Sequence, residues 1–166
     1  MNYLTRYAAL TRRIETCVVG GGQFGQSFLA QARFINRLAA RIVVDLTAEA
    51  AGRALAAAGW PAADIAPCAT AGEAQAAFAA GRAVALAALE PALELPFDML
   101  VEATGHPEAA ARHAQAAIAA RRHVLLVTKE TDSVAGPALA HMARAAGVGV
   151  TPVDGDQPSL LIDLVT

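Results

Sequence analysis

The sequence is poor in cysteine and in net charge, because its 166 residues include two cysteines and carry a formal charge of −2. Cys17 and Cys68 lack C-x-x-C spacing, so they predict neither a zinc site nor a redox pair, and we expect no metal. Cys17 lies in an apolar run and is expected to be a small buried hydrophobic residue. The near-neutral charge gives no electrostatic reason to expect nucleic acid or a membrane surface as a partner.

Long apolar stretches are absent as well. No uncharged apolar run reaches the roughly 18 residues that a membrane helix needs, and no basic segment followed by an apolar one opens the sequence. We therefore expect a cytoplasmic protein without a membrane partner. By contrast, 55% of the residues are hydrophobic. This content excludes a disordered chain and favours one domain whose sheet is covered on both faces.

The most informative stretch joins a predicted strand, Ile14–Val19, to a predicted helix over about residues 24–38 through a glycine-rich turn. Gly20, Gly22 and Gly25 have the G-x-G-x-x-G spacing of dinucleotide-binding turns. The first glycine permits the tight turn, the second lets the backbone approach a pyrophosphate, and the third lets the helix pack closely on the strand. We therefore predict a cofactor phosphate site formed by Gly20, Gly22, Gln23, Phe24 and Gly25.

Asp45 follows a second apolar run, at residues 42–44, and lies twenty residues beyond Gly25. A dinucleotide fold places there the carboxylate that accepts hydrogen bonds from the adenosine ribose. Alternatively, Asp45 begins the next helix as its N-cap, although Thr47 suits that position equally well. A carboxylate would repel a 2′-phosphate, which predicts NAD as the cofactor. NADP stays possible as the cofactor if Arg41 or Arg53 binds that phosphate.

Apolar strands and helices alternate about six times along residues 14–157, which predicts an α/β fold with a doubly wound, mostly parallel sheet of the Rossmann type. Residues 1–13 are expected to form a lead-in helix, and residues 158–166 the start of a further helix. Residues 83–89 fit a strand or a helix. Pro91 and Pro96 are expected to bracket a linker, and a helix is predicted over residues 133–146.

Ligands of such sheets bind beyond the carboxyl ends of the strands, where several polar segments occur. Ala103, Thr104 and Gly105 follow a buried strand and are predicted to run along the ribose and nicotinamide side of the cofactor. The alternative is a plain strand-to-helix turn capped by Thr104. The neighbouring His106 lacks a visible partner and is expected to be solvated.

Lys129 is the candidate catalytic residue, because a lysine at a strand end can orient a substrate carbonyl or transfer a proton. Equally, it pairs with Glu130 or Asp132 at the surface. A polar loop further along offers too few ligands for a metal and is predicted to gate the substrate side of the cleft. This loop consists of Asp154, Gly155, Asp156, Gln157 and Pro158.

On four of these stretches, residues 19–25, 101–105, 130–132 and 154–158, the sequence resembles homoserine dehydrogenase-like oxidoreductases. It is most similar to the branch that includes the 1-deoxy-D-xylulose 5-phosphate reductoisomerase-like enzymes. The resemblance implies an NAD(P)-binding domain that exchanges hydride with a small hydroxy or oxo substrate. Homoserine dehydrogenases carry an Asn-Lys pair where this chain has Thr128 and Lys129. In the nearer branch, the lysine position is often apolar.

Such enzymes continue into a substrate-binding and oligomerisation region, so the chain is either an excised domain or a short relative. In either case we expect cofactor binding without appreciable turnover. A non-catalytic nucleotide-sensing module is the alternative. A methyltransferase that binds S-adenosylmethionine usually carries an acidic residue at the position of Val18, so the sequence argues against that class. Residues 158–166 are apolar on more than one face, which predicts a homo-oligomer formed through them.

Overall fold

Seven parallel strands form one sheet in the computed structural model, which describes residues 12–153. They are β1 (Ile14–Val19), β2 (Leu38–Val44), β3 (Ile65–Pro67), β4 (Ala83–Leu86), β5 (Met99–Glu102), β6 (His123–Leu126) and β7 (Val150–Pro152). Their order across the sheet is β3-β4-β2-β1-β5-β6-β7. Residues 83–89, which the pattern left ambiguous, therefore contain a strand.

Six α-helices in the described part cover the two faces of this sheet. They are α1 (Gln23–Ala32), α2 (Ala48–Ala57), α3 (Ala71–Ala79), α4 (Leu89–Leu93), α5 (Pro107–Ala119) and α6 (Lys129–Ala146). Val18 belongs to the apolar cluster that contains α1 and α2. Its neighbours Cys17 and Val19 belong to the cluster that contains the other four helices. A strand buried on both faces is what a fully covered parallel sheet requires.

The chain reverses its winding direction at β1, which pairs with β2 on one side and β5 on the other. The connections that leave β1 and β5 therefore diverge and open a crevice beyond their carboxyl ends. This arrangement confirms the predicted doubly wound, Rossmann-type α/β fold.

The predicted first helix, over residues 24–38, is too long. Helix α1 ends at Ala32, and Leu38 already pairs with Ile14 in the sheet. The pattern was misleading because Phe34 and Ile35 continue the apolar helical spacing but are 82% and 49% exposed. They lie in the turn between α1 and β2.

Two further boundaries are corrected. The predicted linker between Pro91 and Pro96 contains the end of α4, whose Leu89 and Ala92 are buried. Pro91 is tolerated because the amides of the first helical turn have no helical acceptor. The helix predicted over residues 133–146 begins at Lys129, and Glu130 and Asp132 in its first turn suit a helix N-terminus.

Several predictions lie outside the described residues. These are most of the lead-in helix over residues 1–13, the loop over residues 154–158 and the helix over residues 158–166. Within residues 12–153, no helix is long and apolar enough to span a membrane.

Candidate functional site

The glycine turn after β1 has no room for a side chain at three of its positions, Gly20, Gly21 and Gly25. Gly20 has a φ of 98°, and a Cβ placed there would lie 2.6 Å from the carbonyl oxygen of Ala103. A Cβ at the buried Gly25 would overlap the carbonyl oxygen of Gly20. Gly20 therefore makes the turn and Gly25 the close contact between helix and strand, as the spacing predicts.

Gly22 differs, because no atom outside Gly22 and its two chain neighbours lies within 4 Å of the position that its Cβ would occupy. It is the N-cap residue of α1, which has neither a side-chain cap nor an acidic residue in its first turn. The helix N-terminus is therefore uncapped, and Gly22 lines the cleft, a combination that favours an anion there. Gln23 and Phe24 begin the helix, and Phe24 stacks on Phe28 with ring centroids 6.4 Å apart.

Asp45 is tied to this turn. Its Oδ2 accepts a hydrogen bond of 2.9 Å from the amide of Gly21, and its Oδ1 accepts one of 2.7 Å from the amide of Leu46. Thr47 is the N-cap of α2, since its hydroxyl accepts from the amide of Ala50 at 3.1 Å. The alternative role of Asp45 as a helix cap is thus filled by Thr47, and the Asp45 carboxylate faces the glycine turn.

A cleft of about 650 Å³ runs across the carboxyl ends of β2, β1 and β5. Asp45 and Arg53 line one end, the glycine turn lines the middle, and Thr104, His106 and His113 line the other end. Neither His113 nor the apolar wall formed by Ala87, Ala88 and Leu89 belongs to a sequence motif that predicts a site.

Lys129 lies at the same edge of the sheet, as the first residue of α6, and is exposed. Among residues 12–153 the walls of the cleft do not include it. Its catalytic role therefore stays a prediction. The loop of residues 154–158 follows the last described strand and lies outside the described residues.

Glu102, the last residue of β5, is a carboxylate with no solvent-exposed surface. Its Oε1 accepts hydrogen bonds from the hydroxyl of Thr104 at 2.6 Å and from the amide of Thr104 at 3.3 Å. Its Oε2 accepts from the hydroxyl of Thr128 at 2.5 Å, and His113 Nδ1 lies 3.5 Å from Oε1. Burial alone would raise the pKa of Glu102, but the interactions with His113, Thr104 and Thr128 together outweigh it and lower the pKa.

The segment between β5 and α5 is not a turn capped by Thr104, because the N-cap residue of α5 is His106 and the helix has no side-chain cap. The Thr104 hydroxyl donates to Glu102 and also accepts from the amide of His106 at 3.2 Å. His106 is exposed, as expected, and lies on the cleft wall. The sequence gives one sign of this network, namely that Glu102 is a charged residue at the end of an otherwise apolar strand.

The fold is shared with several solved oxidoreductases. The WlbA dehydrogenase from Bordetella pertussis, in complex with NADH and UDP-GlcNAcA, is 22% identical with a TM-score of 0.58, over 93% of this chain and 42% of that one. An NAD-binding oxidoreductase from Klebsiella pneumoniae is 19% identical with a TM-score of 0.61, over 92% and 38%. Homoserine dehydrogenase from S. aureus is 13% identical with a TM-score of 0.51, over 85% and 32%.

At these identities the likeness establishes the fold alone. The chain spans about a third to two fifths of the length of these proteins. No protein-family model matches the chain, and no curated protein matches it significantly.

Proposed function

We propose that the chain is the NAD-binding domain of a homoserine dehydrogenase-like oxidoreductase that acts on a small hydroxy or oxo substrate. The observation that carries this proposal is the Asp45 carboxylate, hydrogen-bonded to the glycine turn at the edge of an open cleft. An uncapped helix end for a pyrophosphate and a carboxylate for a ribose diol are the two groups that recognise a dinucleotide. Bound NAD would supply the hydride acceptor.

NAD is the preferred cofactor in this proposal. The adenosine ribose would lie beside Asp45, whose negative charge disfavours the 2′-phosphate of NADP. Arg53 also lines this end of the cleft and is the residue best placed to accept such a phosphate. The balance between these two side chains therefore sets the selectivity.

For the chemical step we retain Lys129 as the candidate catalytic residue, with the loop of residues 154–158 on the substrate side. The matched region is at most 42% of each oxidoreductase above, which supports a substrate-binding part supplied by further chain. The second candidate, which would use the same dinucleotide site, is a nucleotide-sensing module without chemistry. The same proposal has three further parts. The chain belongs to the reductoisomerase-like branch, it acts in the cytoplasm, and it forms a homo-oligomer through residues 158–166.

Calorimetric titration of the 166-residue chain with NAD and NADP tests the cofactor assignment. We expect saturable binding of both dinucleotides, with a lower Kd for NAD than for NADP. In Asp45→Asn the ratio of the two Kd values should move closer to one, because the repelling carboxylate is gone and Arg53 remains. Asp64→Asn, which removes an exposed carboxylate outside the cleft lining, is the matched control and should behave as the parent. Absence of dinucleotide binding, or tighter binding of NADP by the parent, would refute the assignment. Turnover with homoserine or a similar small alcohol would exclude the sensing module.

A further inference from the structure

Three consecutive backbone amides between β5 and α5 are held by one buried carboxylate. The amide of Thr104 donates directly to Glu102 Oε1. The amide of His106 donates to the Thr104 hydroxyl, which donates to the same oxygen. The amide of Gly105 donates at 3.0 Å to the Thr128 hydroxyl, which donates to Glu102 Oε2. Glu102 therefore fixes the conformation of this segment, residues 103–106, hereafter the amide loop.

The amide loop is also fixed against the glycine turn. The amide of Ala103 donates to the carbonyl oxygen of Val19 at 2.8 Å. The carbonyl oxygen of Ala103 packs so closely on Gly20 that a Cβ there would lie 2.6 Å away. Ala103 is therefore held at the glycine turn by backbone contacts that involve neither Glu102 nor Thr128.

The position of the loop relative to a dinucleotide follows from the strand order. β2, which carries Asp45, and β5, which carries the amide loop, flank β1 on opposite sides. With the adenosine ribose at Asp45 and the pyrophosphate at the glycine turn, the remaining half of the molecule extends over the end of β5. Thr104 and His106 line that end of the cleft.

We propose that Glu102 and Thr128 are positioning residues that hold the amide loop for the nicotinamide riboside half of the dinucleotide. This inference rests on the proposed function. Neither side chain needs to contact the cofactor, because both act through the backbone of Thr104, Gly105 and His106. Burying a carboxylate is unfavourable unless its hydrogen bonds are satisfied, and here those bonds order a wall of the cleft.

Thr128→Val tests the proposal, because valine keeps the shape of threonine but leaves the Gly105 amide and Glu102 Oε2 without their partner. We expect the Kd for NAD to rise about threefold to tenfold, because the Gly105 amide loses its link to Glu102 while the Thr104 and His106 amides keep theirs. The Kd for ADP, which has no nicotinamide riboside, should stay within about twofold. Thr128→Ser retains a hydroxyl and should restore NAD binding.

The control is Thr16→Val. Thr16 is fully buried in β1 and donates to the carbonyl oxygen of Ala39 at 2.8 Å, so the variant loses a comparable bond outside the cleft lining. It should bind NAD and ADP as the parent does. In the ligand-free chain, hydrogen exchange at the Gly105 amide should accelerate in Thr128→Val and not in Thr16→Val.

The outcomes separate the two proposals. If the parent binds NAD but Thr128→Val leaves its affinity unchanged, weakens NAD and ADP alike, or leaves Gly105 exchange unchanged, the positioning role is refuted. If the parent binds neither NAD nor ADP, the proposed function itself fails, and the positioning role fails with it.

Discussion

Replacing Gly22 by valine should separate cofactor binding from folding. Gly22 has φ −70° and ψ −164°, which are angles that any L-residue adopts. No atom lies within 4 Å of the added Cβ. Valine is a less favourable N-cap residue than glycine, so we expect the free energy of unfolding to fall by roughly 0.5–1 kcal/mol. The variant should therefore remain folded.

Binding should suffer far more. The added side chain would occupy the open space in front of the α1 amides, where a pyrophosphate has to approach the backbone. Losing one or two hydrogen bonds to a charged group costs about 1.5–3 kcal/mol each. At about 1.4 kcal/mol per factor of ten, the Kd for NAD should rise at least about tenfold, and more than a hundredfold where both bonds are lost.

Calorimetry for NAD, with far-UV circular dichroism and thermal unfolding, measures both effects. Gly72→Val is the matched control, because Gly72 lies in the first turn of α3 and also has no atom within 4 Å of its Cβ position. It should bind NAD as the parent does. Gly25→Ala should instead lower the thermal stability, because its Cβ overlaps the carbonyl oxygen of Gly20. A Gly22→Val chain that binds NAD as tightly as the parent would refute the phosphate site.

Two further predictions concern buried groups. The hydrogen bonds to Glu102 overcome its burial and lower its pKa below the ordinary 4.5. The unfolded chain therefore binds this proton more readily than the folded chain does. The stability that the lowered pKa contributes is complete above pH 4.5 and is lost as the pH falls through the pKa of the folded chain. Urea unfolding at several pH values should show a steeper acid loss for the parent than for Glu102→Gln, and parallel curves would contradict this. Burial also raises the pKa of the Cys17 and Cys68 thiols, so neither should react with a thiol reagent at neutral pH until the chain unfolds; rapid labelling of the folded chain would disprove it.

The glycine turn was predictable because its determinants are local. A buried strand followed by glycines fixes where the chain turns, and the positive φ of Gly20 depends on that residue alone. The position of Asp45 near the turn was predictable less directly, because one helix and one strand lie between the turn and Asp45 in the sequence. The hydrogen bond from Gly21 to Asp45 shows that the spacing brought the two segments together.

The helix boundaries were predicted less well because hydrophobic periodicity counts apolar residues and not burial. Phe34 and Ile35 match the helical spacing, yet both are exposed. Pro91 was expected to mark one end of a linker, although it lies in the first turn of a helix, where proline is tolerated. For the first helix, the deciding contact is the pairing of Leu38 with Ile14 in the sheet, and a single sequence does not contain that contact.

The same distinction explains why the buried network was not predicted. Glu102 meets Thr128 from 26 residues away and His113 from 11 residues away, so no short motif contains the set. An apolar residue at position 102 would have extended the core beside Leu100 without the cost of burying a charge. A carboxylate there is favourable only through the groups that it orders, and those groups form one wall of the cleft. In the proposed binding mode, the locally encoded turn sets where a phosphate would bind, whereas tertiary contacts through Glu102 fix the segment that would face the rest of the ligand.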